Sequence, residues 1–268
     1  MSRKQIVGIV AVMLVAYLVG LVIYLPPDRM DQWLKKITQG RMSWQSVSLG
    51  WEGLRFVKLH GTPPFFSPDK EIEEVILRPQ ILPVLLGRIG VSYQMRLDFI
   101  RLGGDVTVNW NGANSRLAME AQMDDLTKLA ALWLGPMGGE VKGKGDGKGW
   151  MIATTTKPMG LDGGEWEIQG KGVTAFGARI EPLILNGVVK EKNVMEIRIS
   201  GKGEIAVAGK LILKIILPEI RTSSISGEVQ IQPIKANLPG MAGQFLGKGQ
   251  PVRMTVSGSL DTMQWRIQ

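Results

Sequence analysis

The chain has 268 residues, no cysteine and a single histidine, His60, which together exclude disulfides, thiolate metal sites, thiol nucleophiles and multi-histidine metal centres. Its net charge of +8 is spread along the chain without aromatic–basic interleaving, so a solvated face is expected rather than a nucleic-acid site. The 34 glycines and 14 prolines punctuate short apolar runs, as in an all-β chain rich in turns.

Residues 6–25 read IVGIVAVMLVAYLVGLVIYL, twenty residues without a charge. As a helix that run is about 30 Å long, the thickness of a bilayer's hydrocarbon. Ile6, Val10, Leu14, Leu18, Val22 and Leu25 mark its lipid-facing length. Pro26 and Pro27 stop the helix. A cleaved signal peptide competes with this reading, but its apolar core spans about 7–15 residues and is followed by a small-x-small cleavage site. This run is longer and no such site follows, so an uncleaved single-pass anchor is expected. Arg3 and Lys4 precede the run and favour a cytoplasmic N-terminus, while Arg29, Lys35 and Lys36 after it weaken the asymmetry. Residues 1–27 are thus flank and anchor, and residues 28–268 one exported β domain.

DRMDQWLKKITQ, from Asp28, places Met30, Trp33, Leu34 and Ile37 on one helical stripe, with Asp28 as N-cap and Gly40 as stop. Such a helix caps the β domain or lies on the bilayer, and capping is the simpler expectation. After Gly40 the apolar period becomes two. Val106, Val108 and Trp110 share a face in GDVTVNW, and Leu117 and Met119 share one in SRLAMEAQM, with NGAN between them as a hairpin turn. The alternation returns at Trp166 and Ile168, at Met195, Ile197 and Ile199, at Val229 and Ile231, and at Val252, Met254 and Val256. One face of a meandering sheet is therefore expected to be apolar: the candidate groove or core face.

Short helices are expected at 79–89, 125–134 and 238–246, where they could fill that face near Leu82 and Leu129. GKGVTAFGARI from Gly170 and GKGEIAVAGKLI from Gly201 align as a faint internal repeat, which turn chemistry or a repeated β unit would each produce.

GGEVKGKG, from Gly138, approaches a phosphate-binding loop, but Gly145 stands where Ser or Thr must hold magnesium. Its flanks read as strands, so no helix receives a phosphate. Asp124 and Asp125 adjoin a helix start. Glu71, Glu73 and Glu74 flank a strand and are expected to face solvent, and His60 ends the strand GLRFVKLH beside Gly61, where a turn histidine is expected. The tryptophans, Trp33, Trp44, Trp51, Trp110, Trp133, Trp150, Trp166 and Trp265, suit a core or a groove lining. No catalytic constellation emerges, and no catalytic residue, resident metal or cofactor is expected.

The succession of anchor, short helix, TQGRMSWQSVSLGWEGLRFVKLHG and VILRPQILPVLLGRIGVSYQMRLDFIRLGGDVTVNW resembles the opening of AsmA-like proteins of the bacterial envelope. The closing VRMTVSGSLDTMQWRI is similar to their terminal strand–Gly–strand unit. Within that group, the chain's size and the run from Gly40 to Trp110 are most similar to type II secretion system protein N, in its variant with an AsmA-like exported domain. The resemblance implies a mainly β fold, a twisted antiparallel sheet forming an open groove or half-barrel with a few short helices. It also implies a bacterial inner-membrane anchor with a periplasmic domain. Two roles follow from it: contacts with other secretion-system components, or a groove that holds phospholipid or another acyl lipid.

Overall fold

The computed structural model describes residues 27–38, 42–61, 71–85, 87–109, 113–128, 130, 140–154, 159–217, 222–235, 250–260 and 262–267. The apolar run carrying Ile6, Val10, Leu14, Leu18, Val22 and Leu25 lies outside them, as do Trp110 and the helix expected at 238–246. Among the described residues no helix is long and apolar enough to cross a membrane. The chain is mainly β and antiparallel, with few helices, and it divides into two compact units, Met1–Pro79 and Gln80–Gln268.

The first unit holds α1 (Pro27–Ile37), β1 (Met42–Ser43), β2 (Ser46–Gly50), β3 (Gly53–Gly61) and β4 (Ile72–Gln80). β3 pairs antiparallel with β1, β2 and β4. Val47, Phe56 and Val75 lie in register across β2, β3 and β4 and are buried, which makes this row the centre of the unit's core. The β2–β3 turn needs glycine at Gly53: its φ is 107°, and a Cβ there would sit 2.3 Å from the Leu77 carbonyl oxygen.

Helix α1 starts on proline, whose fixed φ suits a first helical position. Asp28 thus falls inside the first turn, where its charge still meets the positive helix end. Met30 and Leu34 are buried, whereas Trp33 is 61% exposed. The expected four-residue stripe is therefore narrower. Trp33 lies to the side of the buried Met30–Leu34 pair. Asp31 fastens α1 to the sheet: its Oδ1 accepts from Trp44 Nε1 at 2.6 Å, and Trp44 packs edge-on against Phe56 with ring centroids 5.3 Å apart. Hydrogen bonds from Lys35 and Trp44 hold the Asp31 carboxyl below its usual range.

The second unit holds α2 (Ile81–Leu85) and eleven strands: β5 (Arg88–Leu97), β6 (Ile100–Asn109), β7 (Asn114–Met123), β8 (Val141–Thr154), β9 (Gly160–Ala175), β10 (Ala178–Glu191), β11 (Val194–Gly203), β12 (Ile205–Lys214), β13 (Ser224–Pro233), β14 (Val252–Ser259) and β15 (Gln264–Ile267). Each strand from β5 onward pairs antiparallel with the next, an open meander in strict chain order. The hairpin expected around NGAN is β6–β7, with Val106 opposite Leu117.

Several sequence expectations are corrected. Helix α2 is shorter than 79–89, because Pro79 and Gln80 finish β4, Arg88 and Ile89 open β5, and Gly87 at φ 70° ends the helix. Leu82 is 74% exposed and so does not fill the apolar face. Leu129 lies outside the described residues. The two GKG segments occupy different structures. In the first, Gly170–Ala175 continue β9 to a turn at Phe176–Gly177; in the second, Gly201–Gly203 end β11 and the chain turns at Glu204. Their likeness is one of composition, with no common β unit. His60 does end the strand GLRFVKLH, but β3 continues through it to Gly61, so it is a strand residue rather than a turn one, its Nε2 3.3 Å from Glu71 Oε2. Glu74 is half-buried and paired with Arg55 rather than free in solvent.

Tight turns set the register. Phe176 and Gly177 both have positive φ, 54° and 85°, the backbone of a type I′ hairpin turn. At the β10–β11 turn Asn193 adopts φ 63°, and its Oδ1 accepts from the Leu161 amide at 2.6 Å. Its own amide donates to the Leu161 carbonyl, and its carbonyl accepts from the Ile215 amide. Asn193 therefore joins the start of β9 to the residue just beyond β12. Asn193→Ala is expected to lower unfolding free energy by about 2–3 kcal/mol, from left-handed strain plus one lost hydrogen bond. Asn193→Gly, which keeps the turn, should lose only about 1 kcal/mol. Urea unfolding of the two variants checks the difference.

Candidate functional site, the apolar face of the second unit

Cross-strand partners in an antiparallel sheet point to the same side, so the registers decide which residues share a face. One row runs Tyr93, Gly104, Met119, Gly149, Trp166, Gly187, Ile197, Leu211, Gly227, Val256, Trp265. A second places Leu102, Ala121, Gly147, Ile168, Leu185, Ile199, Gly209, Val229, Met254 and Ile267 in line. Both rows hold only apolar residues, tyrosine and glycine. The face is continuous across all eleven strands.

The row alternates large side chains with glycines for a steric reason. A Cβ on Gly187 would sit 2.2 Å from the Trp166 indole, and one on Gly149 would sit 2.4 Å from Trp166 Cβ. The indole therefore lies over Gly187, with Gly149 on its other flank, and its Nε1 donates to Met195 Sδ at 3.1 Å.

Depth divides this face. Met123, Leu126, Val173, Ile180, Ile197, Ile205, Leu211, Ile225 and Val256 belong to one buried cluster, Val173 being fully inaccessible. Trp166, Ile168 and Ile199 are half-buried and pack against that cluster. Val106, Val108, Leu117 and Met119 are half-buried and stand outside it. With Val91, Tyr93 and Met95 they form an incompletely covered strip on β5–β7. Burial raises the Tyr93 phenol above its ordinary pKa, and Asp105 adds to the shift. All the described candidates thus share the predicted face, but only Ile197 is deep core.

Sequence reasoning missed several of the most buried positions, Val173, Ala178, Ile180, Ile205 and Ile225. Part of the signal was present in the alternation Val173–Ala175 and Ala178–Ile180 about Phe176–Gly177. It was obscured because β9 and β10 both change phase. In β9 the apolar positions pass from Trp166, Ile168 and Gly170 to Val173 and Ala175, and in β10 from Ala178 and Ile180 to Leu183 and Leu185. The neighbouring ladders show register shifts at the same level, between Lys142 and Lys144 and between Ile180 and Leu183. Gly143–Gly145 lie within β8 with strand on both sides, so the loop-like motif presents no helix N-terminus.

The opposite face is charged and largely self-neutralised. Glu120, Lys148, Glu167, Asn186, Arg198, Lys210 and Glu228 are successive partners. Glu196 accepts from Lys210 at 2.9 Å and Arg198 at 2.7 Å, which bring its pKa from an ordinary 4.5 to about 2. Trp150 belongs to this outward side, where its Nε1 donates to Glu165 and Arg116 lies over its ring. With Trp33 and with Trp51, which is 88% exposed in the β2–β3 turn, it departs from the expected core role. Asp124 pairs with Arg101 at 3.3 Å, and Asp125 caps a helical turn by accepting from the Thr127 amide at 2.8 Å. Among the described residues no three His, Asp or Glu side chains are grouped to hold a metal.

Comparison with protein-family models, with characterised proteins and with solved structures finds no match for this chain.

Two outcomes follow from this geometry. Gly187→Ala is expected to cost about 1–3 kcal/mol by overpacking. In a Trp166→Ala background the same change should cost far less, giving a strong coupling in a double-mutant cycle. Glu196 has a folded-state pKa below its unfolded value, so its stabilisation is present above about pH 4.5 and is lost as pH falls toward about 2. Glu196→Gln should flatten the pH dependence of stability across that acid window, measured by denaturation at successive pH values.

Proposed function

We propose that this chain is a single-pass inner-membrane protein of the AsmA-like type whose periplasmic β domain serves as an accessory component of the type II secretion system. Its role is non-enzymatic and is exercised through contacts with other secretion components. The observation that carries the reading is the open antiparallel meander with one continuous apolar face, which agrees with the groove or half-barrel the sequence resemblance implies. The order of elements supports it: α1, the β2–β3 hairpin, β4, the short α2 followed by Gly87, β5, and the closing β14–β15 pair with Gly258 near the end of β14. The bulges and positive-φ glycines along β8–β11 are devices that coil a sheet. The uncharged run at 6–25 supplies the anchor, with the N-terminus in the cytoplasm.

A second reading has its own support. The half-buried strip around Val106, Val108, Leu117 and Met119 suits an acyl chain, so the domain would hold or transfer phospholipid.

Deletion of the chain is expected to lower release of type II substrates into the medium, with folded substrate accumulating in the periplasm; unchanged secretion removes the accessory role. Native mass spectrometry of the full-length protein separates the two readings. Phospholipid retained at fixed stoichiometry favours the lipid-holding groove, and a bare protein mass favours the contact role.

A further inference from the structure

Helix α1 presents a second stripe that its packing does not use. Arg29, Trp33 and Lys36 stand at i, i+4 and i+7, so they share one side of the helix, away from the buried Met30 and Leu34. All three are exposed. Lys35 is paired with Asp31 at 2.7 Å, whereas among the described residues Arg29 and Lys36 have no acidic partner.

We infer that this stripe seats the first unit on an anionic lipid surface, with α1 lying in the headgroup plane beside the anchor. A tryptophan between two cations fits that interface, because its ring suits the boundary between acyl chains and headgroups while the cations meet lipid phosphates. Position in the chain points the same way. The uncharged run ends at Leu25, two residues before α1 begins at Pro27, and the two prolines disfavour one continuous helix. From Pro27 to Trp33 an α-helix advances about 9 Å. The headgroup layer on each side of a bilayer is only about 5–8 Å thick. An upright α1 would carry Trp33 past the headgroups; a recumbent one keeps Arg29, Trp33 and Lys36 within them. The inference rests on the proposed anchor.

The test uses the full-length chain in vesicles of phosphatidylcholine, with or without phosphatidylglycerol. Because the chain lacks cysteine, Gln32→Cys on the exposed side of α1 gives one labelling site for an environment-sensitive fluorophore. Ser200→Cys, exposed on the polar face of β11, gives a reference site. Alkaline carbonate extraction is run in parallel. The expected result is a chain retained by carbonate whose position-32 probe is several-fold brighter and more blue-shifted than the position-200 probe. Shallow-quencher lipids should quench the position-32 probe, phosphatidylglycerol should enhance its signal, and salt should weaken it. The combined change Arg29→Glu, Trp33→Gln, Lys36→Glu should abolish the difference between sites, and the salt response of the unchanged helix stands as evidence even if that variant misfolds. A retained chain with a water-exposed probe at position 32 overturns the inference and leaves the anchor standing. A chain stripped by carbonate overturns both.

Discussion

Side-chain alternation along a strand has a period of two, and the second unit depends on keeping that period in phase across ten successive ladders. A slip of one residue in any ladder would carry that strand's apolar side chains to the charged face and bring its lysines and glutamates inward. Tight turns hold the phase. Two positive-φ residues at Phe176–Gly177 and the left-handed Asn193 leave little freedom in the joining of β9, β10 and β11. Where β9 and β10 change parity, around Lys171–Gly172 and Glu181–Pro182, the sequence changes its apolar parity at the same level, and the flanking ladders absorb the mismatch as bulges. Proline fits such a position because it has no amide to give to a ladder.

Once the phase is fixed, packing follows from size. The row through Trp166 cannot carry a large residue at every strand, because side chains on neighbouring strands stand about 5 Å apart. Glycine at 149 and 187 leaves room for the Trp166 side chain, and at 104 and 227, where φ is positive, it lets the neighbouring strand's backbone approach closely. The buried cluster gathers where β9–β14 bring Val173, Ile180, Ile205 and Ile225 together. On β5–β7, apart from Met123 at the end of β7, the face keeps its chemistry but loses that depth. Val106 and Leu117 are paired in register yet only half-buried, so register and burial are separate properties of the same sheet.

That separation explains what could be read in the sequence. Period-two patterning depends on local order, so the β6–β7 hairpin and the apolar sides of β11 and β14 were legible. The start of α1 was legible to within a residue through Asp28, read as its N-cap and found in its first turn. Burial depth depends on neighbours distant in the chain, and it was not legible: Trp33 and Trp51 read as core candidates and lie exposed, while Val173 and Ile205 drew no notice and are fully or almost fully enclosed. The GKG segments misled for a related reason. Gly and Lys suit both a turn and a strand crossing a crowded row, and composition alone does not separate the two.

The two faces constrain any partner differently. On the polar face several acids and bases pair with each other, as in Glu196 with Arg198 and Lys210, so those charges are spent within the sheet. Directional recognition then falls to the groups that the sheet does not satisfy internally. Within the second unit one such feature is the half-buried strip of Val106, Val108, Leu117 and Met119. A secretion component would cover it with an apolar segment, and a phospholipid would cover it with acyl chains. Both proposed roles therefore act on the same strip. What distinguishes them is whether the covering group arrives from another protein or from the bilayer, and under the proposed anchor the bilayer would meet the domain at a higher effective concentration than a diffusing partner.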